Sequence, residues 1–152
     1  MSTSGSLQTV DACLERAVAI KTTAKLLHNQ GDDWFAVCYF YAAYHIVRAA
    51  IMADPIFTDL GRLQQKSPHL TLGDRLATAH KGRVVSGSPR QLGVNDLVKI
   101  LYPQIAAEYE RLHIASVEVR YGEGLRGIHR DSVVEDYESI VTAYNEDGLV
   151  TE

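Results

Sequence analysis

The twenty residues from Trp34 to Ala53, WFAVCYFYAAYHIVRAAIMA, constrain this chain more than any other stretch. Within them only His45 and Arg48 can carry a positive charge, so a helix built from them is apolar on nearly every face. About 20 apolar residues suffice to span a bilayer, yet Trp34, Tyr39, Tyr41 and Tyr44 bring polar groups and a cation sits close to the middle. A helix that is hydrophobic all round and rich in Ala is one that neighbours touch on every side. The run therefore predicts the central helix of a soluble bundle. Pro55 closes it, because its ring disfavours a helical residue before it and cannot extend the hydrogen-bond ladder.

The flanking stretches read as helices laid against this one. Leu7 to Asn29 places Val10, Cys13, Leu14, Ala17, Ala24 and Leu27 at helical spacing, with Ser6 as the expected N-cap. Gln30-Gly31 ends that helix and Asp32 or Asp33 caps the next, a connection short enough to predict an antiparallel hairpin. The stretch from Pro55 to Leu70 reads mainly as an elaborated connection, with Ile56, Phe57, Leu60 and Leu63 placed to anchor a short helical turn, and Thr71 to His80 as a further helix with Leu72, Leu76 and Ala79 on one side. Asn95 to Tyr121 carries a long helical pattern capped by Asn95, with Pro103 predicting a kink or a restart near Leu101. After the Gly122, Gly124 and Gly127 series, Asp131 caps a last helix from Ser132 to Tyr144. Residues 1–5 and 146–152 are expected to fray. The expectation is one all-α domain spanning residues 1–152, an up-and-down bundle of four main helices with one or two short extra helices.

A chain of 152 residues can bury a sizeable core without disulfides. Its net charge of −4 argues against a broad sequence-independent grip on nucleic acid, which needs a clustered basic surface, but leaves room for a small basic cleft. Cys13 and Cys38 lie in apolar helical contexts, where reduced, buried thiols are usual. The amino terminus, MSTSGSLQTVD, has neither the basic start nor the apolar core of a secretory signal. These features together predict a cytoplasmic protein without a membrane partner.

Several residue groups could carry chemistry. KGRVVSGSPRQLG reads as a surface loop whose Lys81, Arg83 and Arg90 are suited to an anionic partner, if they are more than solvated charges. His45 and Arg48, three apart, share a helix face. They are either paired within the scaffold or line a polar cleft, His as acid or base and Arg as anion clamp. Arg120 and Tyr121 end the long helix, where a cation complements the helix dipole. The sharper alternative is that Arg120 lines a cleft with Arg126, His129 and Arg130 of the Gly-rich GEGLRGIHR loop. No His-Glu-x-x-His, Cys-x-x-Cys, Gly-x-Ser-x-Gly or dinucleotide fingerprint occurs, so no metal or other cofactor is expected.

Two stretches carry a family resemblance. FYAAYHIVRAAI, residues 40–51, resembles the second-helix signature of HEPN-type helical domains, and EYERLHIASVEVRYGEG, residues 108–124, resembles the late-helix pattern of small bacterial HEPN-like proteins. The resemblance implies a four- or five-helix bundle, frequently a homodimer. It also implies either a metal-independent endoribonuclease of RNA-targeting, toxin–antitoxin or defence systems, or a non-catalytic nucleotide-binding or protein-interaction subunit. Active members carry an Arg followed after four to six residues by a His. Arg75-Leu-Ala-Thr-Ala-His80 has that spacing. The implied roles are His80 as general acid or base and Arg75 as stabiliser of charge on phosphorus. The other reading of this pair is two surface residues on a short amphipathic helix.

Overall fold

Every regular element in the computed structural model of the chain, which describes residues 9–82, 92–125 and 129–151, is helical. Helix α1 (Val10–Asn29) begins where the extended Thr9 turns its hydroxyl back to accept the Ala12 N–H at 3.1 Å. Ser6, the expected cap, lies outside the described residues. Asp32 accepts the Trp34 N–H at 2.9 Å and starts α2 (Phe35–Ala53). The two helices run antiparallel: Cys13, early in α1, packs with Ala49 and Met52 late in α2, while at the other end His28 and Phe35 stand 4.6 Å apart ring to ring.

Helix α2 is the hub. Sixteen of its nineteen residues are buried, including His45 and Arg48. It packs against α1, α4 (Val94–Leu101), α5 (Pro103–Tyr121) and α6 (Arg130–Asp147). Among the described residues one segment, 35–58, is long and apolar enough to cross a membrane, and 89% of its most apolar window is buried inside the protein, as in a core helix.

Several boundaries differ from the sequence expectations. After Pro55 the helical content exceeds one short turn: a 3-10 turn (Pro55–Thr58) leads into a short helix α3 (Leu60–Lys66), capped where Asp59 accepts the Arg62 N–H, with Ile56, Phe57 and Leu63 buried as anchors. The helix expected from Thr71 to His80 shrinks to a 3-10 turn over Leu72–Leu76. Leu72 and Leu76 remain 46% and 40% exposed, so no apolar face rewards a longer helix, and residues 77–80 are held by bonds to other elements. Gly93, not Asn95, precedes α4, and the Asp96 carboxylate accepts the Gly93 N–H at 3.0 Å. At Pro103 the long helix restarts rather than kinks, because Tyr102 leaves the helical region at φ −129° and ψ 61°. His129 occupies the cap position of α6, and Asp131 sits in the first turn, where its charge suits the dipole without capping.

Within the stretch 146–152, residues 149 and 151 are buried against the rest of the fold. Helix α6 runs to Asp147 and stops at Gly148, whose φ of +73° favours glycine. Leu149 is then buried, and Thr151 donates both its N–H and its hydroxyl to one oxygen of Asp54, at 2.9 and 2.6 Å. The same oxygen accepts the Tyr102 hydroxyl at 2.9 Å, and the other accepts the Ile56 N–H at 3.0 Å. A buried carboxylate is tolerated only when hydrogen-bonded, and these four donors meet that need. Residues 1–5 and Glu152 lie outside the described residues.

Candidate functional site

Four consecutive carbonyls place the segment that carries His80. Ala77 O accepts from Arg48 Nε at 3.3 Å, and Thr78 O accepts from the Tyr44 hydroxyl. Ala79 O accepts from Val94 N at 2.7 Å, and His80 O from Asn95 N at 2.9 Å. Two side chains one turn apart on α2 thus hold one half of the segment, and the first turn of α4 holds the other. The crossing is close at Gly93, where a Cβ would fall 2.4 Å from the Lys81 carbonyl carbon and 2.6 Å from His80 O. Arg48, buried to 3% exposure, also donates to Cys13 Sγ at 3.7 Å, with its guanidinium 5.9 Å from the centre of the Tyr44 ring. It is a clamp between α1, α2 and the His80 segment.

So fixed, the His80 ring enters an aromatic nest on α2, 4.6 Å from Tyr44, 5.3 Å from Phe40 and 5.4 Å from Tyr41. Its Nδ1 is buried without a hydrogen-bond partner. From α5 comes a second imidazole, His113, 6.4 Å away and 5.1 Å from Phe40. Two turns further along α5, Arg120 donates to the Tyr41 hydroxyl at 3.4 Å and to Ser116 O at 3.4 Å. Burial first, then His113 and Arg120, lower the pKa of His80 below its ordinary value. Burial first, then Lys81 and Arg120, do the same for His113. The lowered pKa values favour the neutral form of both rings, and the field of the Arg120 guanidinium reaches each of them.

The remaining sequence candidates lie at varying distances from this cluster. His45 is buried behind Tyr44, ring centres 5.0 Å apart, with its Nδ1 unpartnered. Burial, Arg48, Arg16 and His80, in that order, push its pKa down to about 4. Arg75 is exposed on the 3-10 turn, and the guanidinium whose field reaches His80 is that of Arg120. Tyr121 is 79% exposed, with Arg120 5.1 Å from its ring centre. Arg130 pairs with Asp33 and lies 4.5 Å from the Phe35 ring centre, a contact that ties α6 to the start of α2. His129 is exposed, and Arg126, Arg83 and Arg90 lie outside the described residues. Lys81, by contrast, lines an open cleft of about 410 Å³ that His113 also borders.

Sequence reasoning passed over His113. The available signal was the spacing of His113, Ser116 and Arg120, three and four residues apart, which puts them on one face of α5. An isolated His in an amphipathic helix gives no stronger sign. Among the described residues no group of three or more His, Cys, Asp or Glu is placed to hold a metal ion. What the cluster offers is general acid–base chemistry by two imidazoles and charge stabilisation by a guanidinium, next to a cleft of ligand size. No protein-family model, curated protein or solved structure matches this chain.

Proposed function

We propose that this chain is a HEPN-like helical protein of an RNA-targeting, toxin–antitoxin or defence system, working as a cytoplasmic homodimer and as a metal-independent endoribonuclease. Its architecture is, on this reading, an up-and-down bundle in which α1, α2, α5 and α6 are the four main helices. The observation that supports the activity is the convergence of His80, His113 and Arg120 on one cluster beside the Lys81 cleft.

In the proposed reaction one neutral imidazole takes the proton of an RNA 2′-hydroxyl as its oxygen attacks the adjacent phosphorus. The bond from phosphorus to the 5′-oxygen breaks, and the other imidazole, protonated beside the phosphodiester anion, returns a proton to that oxygen. The products are a 2′,3′-cyclic phosphate and a free 5′-hydroxyl. Arg120 offsets the charge that develops on the phosphoryl oxygens. Arg75, exposed on its turn, is assigned no part in the step. His45 and Arg48 act from behind, as scaffold under Tyr44 and the His80 segment.

A second reading, a non-catalytic interaction subunit, is favoured by a different observation: Ile114 and Tyr121 on α5 are 48% and 79% exposed, next in sequence to His113 and Arg120. Incubation with mixed RNA in excess chelator separates the two. Cleavage by the wild-type protein that is lost in His80→Ala and His113→Ala supports the nuclease. An inert wild-type protein that retains one stoichiometric protein partner and no nucleic acid supports the interaction subunit. Sedimentation showing a strict monomer would reject the dimer.

A further inference from the structure

The His80 segment is fixed by main-chain bonds to α2 and α4. Arg120 instead reaches the imidazoles on a long side chain with many rotamers, which must be held if its charge is to stay there. What holds it is neutral. Its Nε donates to Ser116 O, one turn back on α5, and its Nη1 donates to the Tyr41 hydroxyl of α2, both at 3.4 Å. Its guanidinium carbon lies 5.1 Å from the centre of the Tyr121 ring and 5.8 Å from that of Tyr41. Among the described residues no carboxylate bonds to it.

Ser116 and Tyr121 belong to α5, as Arg120 does, and Tyr121 is 79% exposed, so neither ties the guanidinium to His80. Tyr41 does. It is half-buried on α2, with its ring 5.4 Å from the His80 ring and 6.2 Å from that of Tyr44, whose hydroxyl bonds Thr78 O. One side chain thus touches both the cation and the imidazole. A carboxylate in its place would grip the guanidinium more strongly, but it would cancel the charge that a phosphoryl group needs. A phenol oxygen accepts the bond and leaves that charge in place.

We propose that Tyr41 is a positioning residue that fixes Arg120 beside His80, an inference that rests on reading His80, His113 and Arg120 as a phosphodiester-handling centre. Tyr41 acts through Arg120: its hydroxyl sets where the guanidinium stands when charge develops on the phosphoryl oxygens, and it takes no proton in the step.

Tyr41→Phe tests it, because it keeps the ring and removes only the hydroxyl. NMR titration of the His80 and His113 imidazoles in the intact protein reads the place of the cation without any RNA. Burial is the first cause of both lowered pKa values, and Arg120 adds to each. A guanidinium released from Tyr41 should therefore let both rise, in the same direction as Arg120→Gln. Adding Tyr41→Phe to Arg120→Gln should raise them no further, since the hydroxyl acts only through the guanidinium. In RNA cleavage Tyr41→Phe should lower kcat by about 10-fold and leave KM within about 2-fold of wild type. Titrations unchanged in Tyr41→Phe, or a further rise of the same size in the Arg120→Gln background, would overturn the role of Tyr41. The two readings fail separately. A protein that cleaves RNA at the wild-type rate with Tyr41→Phe keeps the nuclease and loses the positioning residue. One whose titrations shift as stated while RNA stays intact keeps Tyr41 as the residue that places Arg120 and loses the nuclease.

Discussion

Replacing His45 by Gln should make the fold less sensitive to acid. The side chain is 8% exposed, and burial with Arg48, Arg16 and His80 depresses its pKa from 6.5 to about 4 in the folded state. In the unfolded chain it titrates near the ordinary value of about 6.5. Above that pH both states hold a neutral imidazole, and the stability associated with the depressed pKa is fully present. As pH falls below it, the unfolded chain gains a proton that the folded chain refuses, and stability drops by about 1.4 kcal/mol per pH unit until the folded imidazole itself titrates near 4. Between pH 8 and pH 5 the loss from this one group is about 2 kcal/mol. His80 and His113, also depressed, add to the loss with the same sign. Urea unfolding of wild type and His45→Gln at both pH values measures it. The difference between the two pH values should be smaller in the variant by about 2 kcal/mol, whatever the variant does to stability at pH 8. Equal pH dependence in the two proteins would refute the assignment of His45 as a buried, neutral imidazole.

Three further outcomes follow from the same geometry. Tyr102→Phe removes one of the four donors to the buried Asp54 carboxylate and should lower stability by about 1.5–3 kcal/mol in urea unfolding, the usual worth of a hydrogen bond to a charged group. Gly93→Ala should destabilise the protein by at least about 1–3 kcal/mol and shift the His80 resonance in NMR spectra, because its Cβ has only backbone atoms to push against. Arg48→Met should unclamp Ala77 O, lowering RNA cleavage and raising hydrogen exchange in residues 77–80 while the Arg120 environment stays as in wild type.

The parts of the fold that were legible in the sequence are those whose cause is local or dense. A helix touched on all sides must be apolar on all sides, so α2 announces itself by composition, and Pro55, Gly31 and Pro103 mark chain turns that backbone geometry imposes on the spot. The errors share another cause. Residues 77–80 are held out of helix by donors from α2 and α4, and the tail is held in place by Asp54, 97 positions upstream of Thr151. Neither partnership leaves a trace in the local pattern of apolar residues. The site divides in the same way. His80 was visible as a His at a suggestive distance from an Arg, but the cation that faces it, Arg120, and the second imidazole, His113, come from α5 and meet it only in the folded chain. His45 and Arg48 stood out as polar exceptions in an apolar run. Both are buried, Arg48 bonded to Ala77 O and His45 packed against the Tyr44 ring, contacts with no trace in the local sequence.

The central claim is that His80, His113 and Arg120 form one phosphodiester-handling centre, and single-turnover cleavage of a short RNA in chelator tests it most directly. The account predicts a product ending in a 2′,3′-cyclic phosphate. It predicts that Arg120→Ala slows the step by about 100-fold or more, as loss of a charge-stabilising donor does, whereas Arg75→Ala leaves the rate within about 2-fold of wild type. An Arg75→Ala variant that is inactive while Arg120→Ala cleaves at the wild-type rate, or a wild-type protein that never yields the cyclic end, would contradict it.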